Sequence, residues 1–122
     1  KIKERDICKN FYLNLRNINE MRKEGMYFGG HGYNHLKMTD LNSSDLDMEI
    51  NKTIKFLNKI KTDTKKWVMC YPYGSFNQKI IKKLRKKDCF LGLTTVPEKA
   101  NVNNKNLLSI PRFDANDVGK KL

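Results

Sequence analysis

Trp67-Val68-Met69-Cys70-Tyr71 runs straight into Pro72-Tyr73-Gly74. A nearly continuous apolar run of this length reads as a strand covered on both faces, as in a parallel sheet, and not as the alternation of a half-solvated one. Pro72 and Gly74 end it. Asn77 can then cap a helix with Ile80, Ile81 and Leu84 inward and the lysines and Arg85 outward, and Lys86 and Lys87 suit its C-terminal end. Phe90-Leu91-Gly92-Leu93-Thr94 is a second buried strand. Upstream, Ser43 and Ser44 are good cap residues. Leu46, Ile50, Ile54 and Leu57 follow at helical spacing and predict an amphipathic helix over 44–60. Asn17 followed by Glu20 resembles an earlier helix start, with Ile18 and Met21 on one face and Gly25 as its stop. Met26-Tyr27-Phe28-Gly29 reads as a short buried strand, and Leu107-Leu108-Ser109-Ile110 as a last one after a polar loop over 95–106. Residues 1–16 show no clean period. Alternating strands and helices imply an α/β chain with a parallel sheet and crossover helices, organised as one domain over 1–122.

The formal charge is +12, carried mostly by lysine. An excess of this size raises nonspecific affinity for acidic polymers. The lysines are spread over several helices, however, and arginine, the better phosphate reader, is scarce. A solvated lysine-rich surface is the favoured reading, with no specific nucleic-acid partner. No apolar run is long enough to span a membrane, and no signal peptide is visible. The chain begins at Lys1 rather than methionine, so it is expected to be a fragment from which a signal or a first half can be missing. Cys8, Cys70 and Cys89 are odd in number and irregular in spacing, which is no disulfide framework. Free thiols lean toward a reducing compartment. Cys70 and Cys89 fall on predicted strands and are expected to act as small buried hydrophobes.

The two histidines lie four apart in Gly29-Gly30-His31-Gly32-Tyr33-Asn34-His35. If a short helical turn begins at His31, both imidazoles aim at one point and can serve as two ligands of a borderline metal such as zinc. In parallel sheets active residues gather in loops at the carboxyl ends of strands. His31 and His35 follow the first predicted strand and Pro72-Tyr73-Gly74 the second, so the two segments share one rim. Arg112, after the last strand, is a further pocket candidate. It can also meet Asp114. Trp67 is expected in the core, and Glu20, Glu24 and Glu49 are read as solvated helix residues.

Four stretches carry a resemblance. They are Met21-Arg22-Lys23-Glu24-Gly25-Met26-Tyr27-Phe28-Gly29-Gly30-His31, the His31-Gly32-Tyr33-Asn34-His35 motif, Tyr71-Pro72-Tyr73-Gly74, and Phe90-Leu91-Gly92-Leu93-Thr94-Thr95 with Ile110-Pro111-Arg112. In this order they resemble the polysaccharide deacetylases of carbohydrate esterase family 4, from about Ile18 to Phe113. The resemblance implies a partial, parallel-stranded (β/α) barrel. It implies one divalent metal, zinc foremost, held by an aspartate and two histidines, with a second aspartate as general base. A metal-bound water would attack the N-acetyl carbonyl, and a downstream histidine would be the general acid. The metal lowers the pKa of its water, and a fixed amide donor stabilises the developing oxyanion. Carried over, His31 and His35 would be the metal ligands, and the Tyr73 backbone N–H the oxyanion donor. Tyr71, Pro72, Tyr73 and Arg112 would line the substrate cleft.

The departures from the family pattern are as informative. Upstream of His31 the one aspartate is Asp6, in a context unlike the family's Asp-Asp motif, and no histidine follows His35. Gly32 replaces a hydroxyl residue, and Cys70 stands where many members carry arginine. The chain resembles the later part of a deacetylase barrel without its opening strand. The expected function is a metal-dependent hydrolase domain that removes N- or O-acetyl groups from a polysaccharide or oligosaccharide, incomplete or inactive as this chain alone. The alternative is a noncatalytic relative that binds carbohydrate or protein; a basic nucleic-acid module has only charge in its favour. A barrel without its first strand exposes an unpaired edge, which a homo-oligomer or a folded-back 1–16 segment would cover.

Overall fold

A computed structural model of the chain describes residues 7–8, 11–101 and 106–117. Among the described residues the main elements are α1 (Leu15–Lys23), α2 (Ser43–Lys59), β1 (Trp67–Cys70), α3 (Gln78–Arg85) and β2 (Cys89–Leu93). β1 and β2 pair in parallel across α3, with a register irregularity between Trp67 and Val68. A single parallel bridge at Gly30 flanks β1, and another at Ile110 flanks β2. The order across the sheet is therefore Gly30, β1, β2, Ile110. The sheet is partial and does not close, and it has the parallel-stranded architecture that the sequence implies.

The first two helices start a few residues earlier than Asn17 and the serines suggest. Asn14, not Asn17, caps α1 by accepting from the Arg16 and Asn17 amides, while the Asn17 side chain accepts from the Asn14 amide. Asn42, not Ser43 or Ser44, caps α2 through the Asp45 amide. In both cases an asparagine carbonyl oxygen reaches the third amide of the helix, the geometry that satisfies an otherwise unpaired donor. Asn77 caps α3 as expected. Gly25 ends α1 at φ +86°, a conformation cheap only for glycine.

Two predicted strands shrink to single bridges. Gly30 donates to the Val68 carbonyl at 2.7 Å and accepts from the Cys70 amide at 2.8 Å. One ladder step earlier the pairing fails, because side chains take both partners. The Val68 amide donates to the Tyr27 hydroxyl at 3.1 Å, and the Phe28 carbonyl accepts from the Thr62 hydroxyl. Met26 and Tyr27 are more than half exposed, so 26–29 is not a buried strand. Leu107–Ser109 is a 3₁₀ turn, and only Ile110 joins the ladder, donating to Gly92 and accepting from Thr94. Within β2, Phe90 is half exposed, so that strand is not covered on both faces.

The core lies between the sheet and α2 and α3. Leu46, Ile50, Leu57, Trp67, Met69, Ile80 and Leu84 are fully buried, and the Trp67 Nε1–H donates to the Lys87 carbonyl at 2.8 Å. Lys83 on α3 meets Asp47 on α2 at 2.6 Å. A Cβ at Gly30 would lie 2.8 Å from Thr53 and 2.9 Å from the Trp67 ring, so only glycine lets the edge segment approach this closely. Of the 1–16 segment, Ile7, Phe11, Tyr12 and Leu13 are exposed and cover no sheet edge. Asp6 lies outside the described residues.

Candidate active site

His31 directly follows the Gly30 bridge, and the Pro72–Gly74 turn follows β1 by one residue. Parallel pairing puts both segments at the same, carboxyl-terminal end of the sheet. They are also fastened to each other. The Thr39 amide donates to the Ser75 hydroxyl at 3.2 Å, and the two hydroxyls lie 2.7 Å apart.

The histidines converge, though not through a helical turn. Residues 31–37 contain no helix. Gly32 (φ +70°) and His35 (φ +55°) instead curl the loop through the left-handed region. A Cβ at Gly32 would sit 3.1 Å from Pro72 and 3.3 Å from the Glu49 carboxylate, which explains a glycine where the resemblance leads one to expect a hydroxyl residue. His31 Nδ1 lies 2.8 Å from the Cys70 carbonyl oxygen. A carbonyl can only accept, so Nδ1 carries the proton and Nε2 of the neutral ring is a lone pair. That Nε2 faces His35 Nε2 at 3.1 Å, and the two rings are 4.7 Å apart.

The Tyr73 ring lies 4.8 Å from the His35 ring and is two-thirds exposed. Its backbone is left-handed (φ 57°, ψ 17°), a conformation that costs a non-glycine residue about 1–2 kcal/mol and persists only where surroundings impose it. Tyr71 and Pro72 are buried beneath this rim. The Tyr71 hydroxyl donates to the Leu108 carbonyl at 2.7 Å, its ring stacks on Phe76, and burial pushes its phenol above the usual tyrosine range. Tyr71 therefore anchors the turn from below and does not face a solute. Arg112 donates through Nε to the Thr94 carbonyl at 2.9 Å, past the end of β2. The structure thus brings His31, His35 and Tyr73 together.

Glu49 is the residue sequence reasoning missed. It is 2 % exposed and not solvated. Both carboxylate oxygens bind Asn34, one at the backbone amide (2.5 Å) and one at the side-chain amide (2.7 Å). Its position was a signal: Glu49 interrupts the apolar stripe of α2 three residues after Leu46 and four before Thr53. A groove of about 290 Å³ opens beside His31, between the Gly29–Tyr33 segment and Thr53 and Phe56 of α2.

The histidine pair suits a cation. Ligand nitrogens about 2.0–2.1 Å from a tetrahedral zinc stand roughly 3.3 Å apart, close to the spacing found here. An Nδ1–H held by a carbonyl is the usual outer-shell partner of a ligating imidazole. Among the described residues no group of three His, Cys, Asp or Glu side chains converges.

The polysaccharide deacetylase family profile matches residues 8–91, more than half of the chain. The chain belongs to the polysaccharide deacetylase family. Solved structures agree on the fold. The deacetylase PplD of Streptococcus pyogenes, solved with acetate, superposes at TM-score 0.77 and 24% identity, covering 88% of this chain and 48% of that one. The family 4 carbohydrate esterase of Streptomyces lividans, also solved with acetate, gives 0.59 at 18% identity over 82% of this chain and 58% of that one. IcaB of Ammonifex degensii gives 0.64 at 18% identity, covering 85% and 49%. The chain thus spans about half the length of each of these three structures. No curated protein sequence matches it. Among the described residues no helix is long and apolar enough to cross a membrane.

Proposed function

We propose that this chain supplies the histidine side of a metal-dependent deacetylase site acting on N- or O-acetyl groups of a polysaccharide or oligosaccharide. One observation carries the reading: two Nε2 atoms 3.1 Å apart at the carboxyl end of a parallel sheet, with the His31 ring oriented by the Cys70 carbonyl. His31 and His35 would hold a divalent ion, zinc foremost. Such an ion, when bound, supplies an activated water and polarises the acetyl carbonyl. The Tyr73 backbone N–H is assigned to the oxyanion, and the exposed Tyr73 ring beside His35 to the wall against which a sugar packs. Arg112 flanks the cleft from the end of β2. A carboxylate ligand and a general base have to come from outside the described residues.

That last observation favours a second reading, a noncatalytic relative that retains the cleft and binds carbohydrate or protein. Zinc titration by calorimetry, with His31→Ala/His35→Ala as control, tests the ligand assignment. Wild type should bind zinc weakly, as two protein ligands do, and the double variant not at all. Equal failure of both proteins to bind defeats the assignment. Acetate release from an N-acetylated oligosaccharide separates the two readings. Turnover lost in His35→Ala supports the enzyme, and sugar binding without turnover supports the relative.

A further inference from the structure

Outside the histidine pair the strongest unexplained feature is a buried carboxylate aimed at the loop that carries both histidines. Burying a carboxylate is costly unless each oxygen finds a strong donor. Glu49 finds both donors on one residue, Asn34, which lies immediately before His35. Asn34 is itself on the exposed side of the loop, so the bonds run from the helix up to the rim and not within the core. The loop needs such a hold. His35 sits at φ +55°, where a non-glycine backbone is unfavourable, and residues 31–37 have no helix to fix them. Gly32 leaves room for the Glu49–Asn34 contact: a Cβ there would lie 3.3 Å from the Glu49 carboxylate.

We infer that Glu49 is a positioning residue: by clamping the amide and side chain of Asn34 it holds His35 in the strained conformation that brings its Nε2 to that of His31. It touches neither imidazole and acts through Asn34. The inference rests on His31 and His35 being metal ligands, but its geometric half does not, and the test keeps the halves apart.

Glu49→Gln keeps one acceptor for the Asn34 amide but turns an NH₂ toward the Asn34 NH₂, setting donor against donor. Glu49→Gln/Asn34→Asp exchanges carboxylate and amide across the pair, restoring the contact at unchanged total charge. Two readouts apply to each protein: the imidazole ¹⁵N and ¹H signals without metal, and zinc affinity by competition with a chelating dye. Partners that orient ligating histidines are worth typically about 10–100-fold in metal affinity. Glu49→Gln should weaken zinc binding by roughly that factor and shift the His31 and His35 ring signals, and the exchanged pair should recover most of both. Should Glu49→Gln fail to fold, Asn34→Ala, made on the exposed side of the loop, should show the same two effects. If wild type binds no zinc yet the ring signals still move and recover, the ligand assignment falls and the clamp stands. If the variants melt at a lower temperature while ring signals and zinc affinity match wild type, Glu49 only fills space and the inference is overturned.

Discussion

Gly92 is where the last turn of the chain rests on the sheet, and Gly92→Ala puts that seat to the test. A Cβ at this buried position would lie 2.7 Å from the Leu108 carbonyl oxygen, 3.0 Å from its carbon and 2.7 Å from the Tyr71 hydroxyl. Two of those atoms are backbone and cannot rotate away. The third makes the 2.7 Å bond that ties Tyr71 to Leu108. Forcing a methyl group into packed space costs about 1–3 kcal/mol. Stretching a buried bond until its acceptor is unsatisfied costs about 1–3 kcal/mol more. Gly92→Ala should therefore destabilise by roughly 2–6 kcal/mol, a large share of a small domain's stability of about 5–15 kcal/mol. Tyr71→Phe alone should cost about 1–3 kcal/mol, since it removes the same bond without the clash. The double variant should cost less than the sum by at least about 0.5 kcal/mol, because the methyl no longer meets a hydroxyl and the bond is lost once. Urea denaturation followed by emission of Trp67, the single and fully buried tryptophan, measures all four proteins. A Gly92→Ala cost below about 0.5 kcal/mol, or strict additivity, would refute the packing argument.

Thiol alkylation should separate the cysteines: Cys8 is exposed, whereas burial pushes the Cys89 thiol up to about 12, so Cys8 should react quickly and Cys89 only after unfolding. The same shift gives a pH dependence, because the unfolded thiol ionises near 9.0 and the folded one near 12. The stability this group contributes is complete below pH 9.0 and declines as pH rises toward 12, which melting temperatures of wild type and Cys89→Ala across that range would show by converging. Asn42→Ala removes the cap of α2 and should cost about 1 kcal/mol in urea, against a near-neutral Asn51→Ala on the exposed face of the same helix. Exposed Ile7, Phe11, Tyr12 and Leu13, together with Met26 and Tyr27 before the open Gly30 edge, should make the chain self-associate; sedimentation giving one monomer mass from micromolar to millimolar would contradict this.

What was legible in this sequence is what repeats over short distances. The apolar run at Trp67–Tyr71, the stripe Leu46, Ile50 and Leu57, and the stop at Gly25 depend on neighbours three or four residues away, and each stands near where it was expected. The motif segments around His31 and Pro72 could be placed on one rim because parallel strands deliver their loops to the same end. Tertiary structure decided the rest. Residues 26–29 are apolar enough for a strand, but the Tyr27 and Thr62 hydroxyls occupy the groups a ladder needs. Tyr71 belongs to a rim motif, yet its hydroxyl bonds Leu108 from 37 residues away and draws the ring into the core. Glu49 reads as a solvated helix residue until the Asn34 loop closes over it and supplies two donors. The histidines converge by that closure and by two left-handed residues, not by helical spacing. Periodicity is written locally in the chain, whereas the partner that satisfies a buried polar group is chosen only when distant segments meet.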